Sequence, residues 1–133
     1  MIAAIHAGWK GAFKGIIKKT LNFMIKKGCT PKNITAVIGP CISVKSYEVK
    51  KDFIKKLIKK DGKNKKFFKK IQNKDFFNLK KYIYSQLKTL NIKKIDIINK
   101  DTFNPKNSFF SARRSISRNE NDYGRNISVI MIN

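Results

Sequence analysis

Six residues near the start of the chain, His6-Ala7-Gly8-Trp9-Lys10-Gly11, constrain the fold more than any other stretch. They carry the only histidine and the only tryptophan. Two glycines flank Trp9 and Lys10, so the backbone can turn sharply where a Cβ would obstruct it. The apolar run before them, residues 2–5, reads as a buried strand, and a helical period begins at Gly11. A strand, a tight turn and a helix in that order predict an α/β unit. They place His6 at the carboxyl end of a strand, where open α/β sheets bind ligands.

The rest of the chain can be read against that unit. Phe13, Ile16, Ile17, Leu21 and Met24 recur at helical spacing, with Thr20 on the same side and Lys14, Lys18, Lys19 and Lys26 opposite. This predicts an amphipathic helix over 11–27, ended by Gly28 with Pro31 beyond. Residues 34–38 are a β-branched run and read as a strand, closing in the turn Gly39-Pro40-Cys41-Ile42. Val49, Phe53, Ile54, Leu57 and Ile58 predict a second helix, stopped by Asp61-Gly62. Residues 63–74 are lysine-dominated and read as a short helix or a loop. A third helix is expected over 75–90 with Asp75 as its N-cap. Strands are expected at 92–98 and 127–132, with turn chemistry at 101–105 and polar, irregular chain at 115–124. The order β-α-β-α-α-β-β indicates an α/β protein with a mixed sheet. With no repeat and no linker, residues 1–133 form a single domain.

Composition narrows the classes. No apolar run approaches the roughly 20 residues of a membrane span, and the first residues lack the features of a signal peptide. Cys29 and Cys41 have neither the number nor the spacing of a disulfide framework or a zinc knuckle. A cytoplasmic, reducing location is therefore expected. The net charge of +23 admits two readings. One is nucleic-acid binding. The other is codon drift toward Lys, Ile and Asn, with polyanion binding only as a non-specific consequence. All four arginines, Arg113, Arg114, Arg118 and Arg125, fall in the last 21 residues. Either they escaped the drift, or they stand where a planar, bidentate fork is required.

His6 is a candidate metal ligand, acid/base group or structural cap. A catalytic zinc takes about three protein ligands and an open position, and this chain could recruit only Cys29 and Cys41 beside His6. Trp9 is a packing anchor or a stacking platform. Asp101 and Glu48 stand at element ends, where caps are common. No phosphate loop, nucleotide fingerprint or paired glycosidase-type carboxylates occur.

HAGWKG after an apolar run, IGPCISVKSYEV about thirty residues on, FFSARR, and the closing GRNISVIMI resemble, in order and spacing, the YfiH-like family. Its members are also described as multicopper polyphenol oxidase, laccase-domain proteins and as purine nucleoside phosphorylases. The resemblance implies an α-β-β-α layered fold with mixed sheets. It also implies phosphorolysis of purine nucleosides with adenosine deaminase activity, and zinc as cofactor with copper as the alternative. The other functional readings are a laccase-like polyphenol oxidase, and a basic nucleic-acid-binding protein without enzymatic activity. By resemblance the metal ligand is His6, while the family's other ligands lie upstream of the stretch matched here. Lys10 stands where many members have Arg, and Asp101-Thr102 where Cys-Thr is frequent. Lys10, Arg113 and Arg114 are the candidate phosphate-binding residues, and no catalytic residue is assigned. The chain thus resembles the carboxyl-terminal part of such a domain, truncated at its N-terminus. It is expected to bind zinc weakly, to turn over nucleosides negligibly and to expose apolar surface. Arg113 or Arg114 is expected to approach the His6 turn.

Overall fold

The computed structural model describes residues 1–132. Helix formation starts earlier than its apolar period suggests. α1 (Trp9–Phe13) begins at the tryptophan, and α2 (Ile16–Lys26) follows a break at Gly15, whose φ of 83° is left-handed. The expected single helix over 11–27 is therefore two helices. Lys14 ends the first, and Gly15 turns the chain at no steric cost. α2 buries Ile17, Leu21 and Met24 along one face. It ends as expected at Gly28, φ 92°, with the amides of Gly28 and Cys29 bonded back to the carbonyls of Ile25 and Met24.

β1 (Thr35–Ile38) and β5 (Lys94–Ile97) pair in parallel with Ile38 opposite Ile97, inside the ranges expected from their β-branched content. Between them lies an element the lysine-rich composition concealed. β2 (Glu48–Val49), β3 (Phe68–Ile71) and β4 (Lys74–Phe77) form an antiparallel sheet in the order β2-β4-β3. The β3–β4 connection is a two-residue turn with both Gln72 and Asn73 at positive φ, 47° and 62°. That is the twist a tight hairpin needs.

Asp75 is consequently not a helix cap. It lies in β4 opposite Lys70 and Val49. The cap of α4 (Leu79–Thr89) is Asn78, whose side-chain oxygen accepts from the Lys81 amide at 2.9 Å. α3 (Lys51–Lys60) ends at Asp61 as expected. The chain expected to be irregular near 115 instead forms the short α5 (Ala112–Ser117), capped by Ser111.

Two further expectations are corrected. Residues 2–5 and 127–132 are apolar enough for strands, yet neither belongs to a sheet. A strand needs a neighbour for its backbone groups and a face to bury. Among the described residues these segments have neither. His6 therefore stands in irregular chain leading into α1, not at a strand's end.

The core has two connected parts. α2 packs on α4, and α4 on β1, around Ile17, Ile38, Ile83, Leu87 and Ile92. The other part is aromatic: Phe77 is fully buried, with the rings of Tyr47, Phe53, Phe68 and Tyr82 between 5.1 and 5.8 Å away. The result is a mixed α/β fold with one parallel and one antiparallel sheet. Among the described residues no helix is long and apolar enough to cross a membrane.

Candidate functional site

The carboxyl ends of β1 and β5 open into two loops, and these are held together by one carboxylate. Beyond the strands the ladder continues through a parallel bridge between Cys41 and Asp101. Asp101 then accepts from the Ser43 amide (3.0 Å), the Ser43 hydroxyl (2.7 Å), the Ser46 hydroxyl (2.7 Å) and the Phe103 amide (2.9 Å). Partial burial pushes its pKa upward. The hydrogen bonds from Ser43, Ser46 and Phe103 outweigh burial and hold the carboxyl below the usual Asp range. Asp101, read from sequence as turn chemistry, is the staple between two loops that are 55 or more residues apart in sequence.

The adjoining arginines, consecutive on α5, do different things. Arg114 points inward, and its guanidinium donates to the carbonyls of Thr102 (3.0 Å), Phe103 (2.9 Å) and Phe109 (2.5 Å). This fork fixes the loop after β5 from within. Arg113 points outward across β2. It donates to the Glu48 carbonyl at 3.0 Å and lies 5.2 Å above the Tyr47 ring. Burial pushes the Tyr47 phenol pKa up, and the Arg113 charge offsets part of that rise.

Arg113 forms part of the wall of two adjoining hollows. One, of about 300 Å³, is lined by Ser46, Glu48, Val49, Lys50, Phe103, Arg113 and Ser117. The other, of about 290 Å³ and open to solvent, shares Glu48, Val49, Lys50 and Arg113 and is lined further by Trp9, Tyr47 and Phe53. Both carry the Glu48 carboxylate beside the cations Lys50 and Arg113; the first adds two serines and Phe103, the second three aromatic rings. Trp9 meets Phe53 edge-on at 4.8 Å. The tryptophan of the glycine-flanked segment and one arginine of the C-terminal cluster thus line the same open hollow.

The other sequence candidates are placed as follows. His6 is exposed and lines neither hollow. Its ring folds over Gly8, where an added Cβ would lie 2.9 Å from Nε2, a contact the exposed ring can relieve by rotating; Gly8 itself has an ordinary extended backbone, φ −60°, so the sharp turn expected at the glycine is not made there. The Lys10 ammonium sits 5.8 Å over the Trp9 ring, on the outside of the turn. Tyr47, Lys50, Phe53 and Ser117 were not singled out from sequence as site residues. A signal for the first of these existed in the Tyr47-Glu48-Val49 run, but it reads as the entry to a helix rather than as a strand crossing under Arg113.

The donor set does not fit a zinc or copper ion held by this chain's residues as arranged. Among the described residues no three His, Cys, Asp or Glu side chains gather at one point. Burial raises the Cys41 thiol pKa, Lys80 lowers it and Asp101 raises it further, so the net shift is away from the thiolate a metal requires. The Asp101 oxygens are committed to four donors.

Similarity to known proteins adds a second line of information. Residues 1–133 match the family described as multi-copper polyphenol oxidoreductase laccase. The chain is 38% identical over 129 residues to a purine nucleoside phosphorylase of Rickettsia conorii, covering 96% of this chain and 52% of that protein. It is 36% identical over 132 residues to a purine nucleoside phosphorylase of Haemophilus influenzae, covering 97% and 51%. With the purine nucleoside phosphorylase YfiH of Shigella flexneri the identity is 30% over 115 residues, covering 85% and 45%. The chain spans about half the length of these curated relatives.

Proposed function

Because the chain belongs to the multi-copper polyphenol oxidoreductase laccase family, we propose that it contributes the base- and phosphate-binding part of a purine nucleoside phosphorylase. The observation that supports this most directly is Arg113, which with Lys50 borders two adjoining hollows, one lined further by three aromatic rings and the other by Ser46, Ser117 and Phe103. A purine base suits Trp9, Tyr47 and Phe53, which offer flat, polarisable surface. An inorganic phosphate suits Arg113 with Lys50 beside it, since a guanidinium edge matches phosphate oxygens.

In phosphorolysis a phosphate oxygen bonds to the anomeric carbon of the ribose while the bond from that carbon to the base nitrogen breaks. The bonding pair leaves with the base, which acquires a proton. This chain's part is to bring the reactants together. Arg113 and Lys50 neutralise and aim the phosphate, the aromatic hollow holds the base, and placing them in adjoining hollows converts an encounter of two solutes into a local one. Arg114 is not assigned to phosphate, because its fork is occupied by three carbonyls. Lys10 lines neither hollow and is not assigned to phosphate. Adenosine deamination and phenol oxidation, which the resemblance also implies, would draw on a metal toward which His6 is the one ligand assigned in this chain. We place the protein in the cytoplasm, where Cys29 and Cys41 stay reduced.

Trp9 is the only tryptophan, so its fluorescence reports the aromatic hollow directly. Inosine is expected to quench it, and inorganic phosphate to tighten that response. Arg113→Ala should weaken the phosphate effect by roughly tenfold, the loss of one charge-assisted contact. Quenching that is indifferent to both phosphate and Arg113→Ala would refute the assignment.

A further inference from the structure

We propose that the seam between α1 and α3, continued by the helical turn Gly62–Phe67, is a binding track for single-stranded nucleic acid. Lysines held over aromatic rings take its phosphates.

Lysine is not evenly distributed along the chain. Nine of the 27 lysines lie in the 17 residues 50–66, and all nine are exposed. Codon drift enriches lysine throughout a chain, so it accounts for the total but not for this concentration. The stretch holds two carboxylates, and both serve helix ends. Asp52 lies in the first turn of α3, and Asp61 accepts from the Lys63 amide at 2.9 Å. Among the described residues neither these nine lysines nor Lys10 and Lys14 reach a carboxylate at ion-pair distance.

The way these charges are held sets them apart from solvated side chains. The Lys56 ammonium is 5.6 Å from the ring centres of both Trp9 and Phe13. Lys60 lies 4.2 Å from Phe13 and Lys10 5.8 Å from Trp9. Lys60 also donates to the Phe13 carbonyl. Lys66 repeats the arrangement over Phe67 at 5.2 Å. Segments far apart in sequence thus build one row of cations. A ring attracts an ammonium without cancelling its charge, whereas a carboxylate would neutralise it. The row is fixed in place and still free to meet an external anion.

The shape of the row selects the partner. Lys56 and Lys60 stand about 6 Å apart along α3, and the row continues onto a second helix and a turn, which suits a chain of phosphates rather than one. Trp9 and Phe13 are half-buried, so ring surface remains beside the cations. Unpaired bases can stack on such surface, while a duplex keeps its bases inside. A membrane is disfavoured because the apolar face of α3 is already engaged, with Leu57 buried and Phe53 packed on the core.

The inference does not depend on the nucleoside reading, and the probe keeps the two apart. A labelled oligothymidylate of about 20 nucleotides, longer than the usual site of one binding groove, carries no purine. Its binding to the full 133-residue chain is followed by fluorescence anisotropy over a salt series, with Trp9 emission recorded alongside. For single strands the slope of log affinity against log salt is roughly 0.7 per phosphate contact. Replacing Lys10, Lys56, Lys60 and Lys66 together by Gln is expected to flatten that slope by roughly 2 to 3 and to weaken binding by roughly tenfold or more at low salt. Replacing Lys18, Lys27, Lys88 and Lys93 by Gln gives the same net charge and is expected to change the slope by less than roughly 0.7. Should the first variant fail to fold, Lys56→Gln with Lys60→Gln supplies the test, with roughly half the flattening. Oligothymidylate is also expected to quench Trp9. Three results would overturn the proposal. One is an equal loss in both fourfold variants, which would leave only net charge. Another is binding that does not alter Trp9 emission. The third is displacement of the oligonucleotide by phosphatidylserine vesicles at equal anionic charge. An absent inosine response would count against the nucleoside reading alone.

Discussion

Phe77, at the end of β4, exposes no surface, whereas Ile127, at the start of the last apolar segment, exposes 89% of its own. Both residues are large and apolar and lie in chain of strand-like composition. The difference is the company each keeps. β4 has a partner on each side, α4 after it and four rings around Phe77. Residues 127–132 have no partner among the described residues. The region from α3 to α4 is a finished core, and the β1–β5 region with the chain ends is an open one. Composition supplies the driving force for burial in both, but topology decides whether it can be spent within this chain.

That contrast can be broken most forcefully at its closed end. Phe77→Ala removes a fully buried ring and should cost about 3–5 kcal/mol, read from the denaturant midpoint; a loss below about 1 kcal/mol would mean the aromatic core is not the stable half. Arg114→Met keeps the bulk but leaves three carbonyls without their donor. About 2 kcal/mol is expected to be lost, with proteolytic nicking of the loop after β5 as the local readout.

Asp101→Asn probes the seam between the two regions and should cost about 1 kcal/mol near neutrality. Because the folded carboxyl is depressed, its contribution is fully present above the unfolded Asp value of about 4 and is lost as pH falls through the folded value. The wild type should therefore lose more stability than Asp101→Asn between about pH 5 and pH 3. Equal losses would show that the staple carries no linkage. The smallest effect belongs to the open end. Val129→Ser should alter the stability of the isolated chain by less than about 0.5 kcal/mol, and a larger loss would indicate that 127–132 is already packed.

The legibility of the sequence follows the same division. α2, α3, β1 and β5 are visible from local pattern, because helical periodicity and a β-branched run are properties of adjacent residues. The β3–β4 hairpin was not, since Gln72-Asn73 lacks the glycine that signals such a turn and the flanking lysines mask alternation. Residues 2–5 and 127–132 show the opposite failure: strand composition is local, but pairing is not. At the candidate site, the arginine cluster pointed to α5. It could not say which of two consecutive residues faces the hollows, because neighbours on a helix diverge by about 100°. Glu48 and Lys50 join the site only through β2, a strand of two residues whose existence depends on β4.

Asn126 holds Phe110 by both backbone groups, accepting from its amide at 2.9 Å and donating to its carbonyl at 2.8 Å, so that one side-chain amide imitates a neighbouring strand. The consequence is kinetic. The six described residues beyond this clasp, 127–132, reach at most about 20 Å when fully extended, so any surface they meet lies within a small volume fixed to the body of the protein. Tethering of this kind raises the effective concentration of the segment at any surface within that reach. Removing the Asn126 amide would lower that effective concentration while leaving the segment's own apolar side chains unchanged.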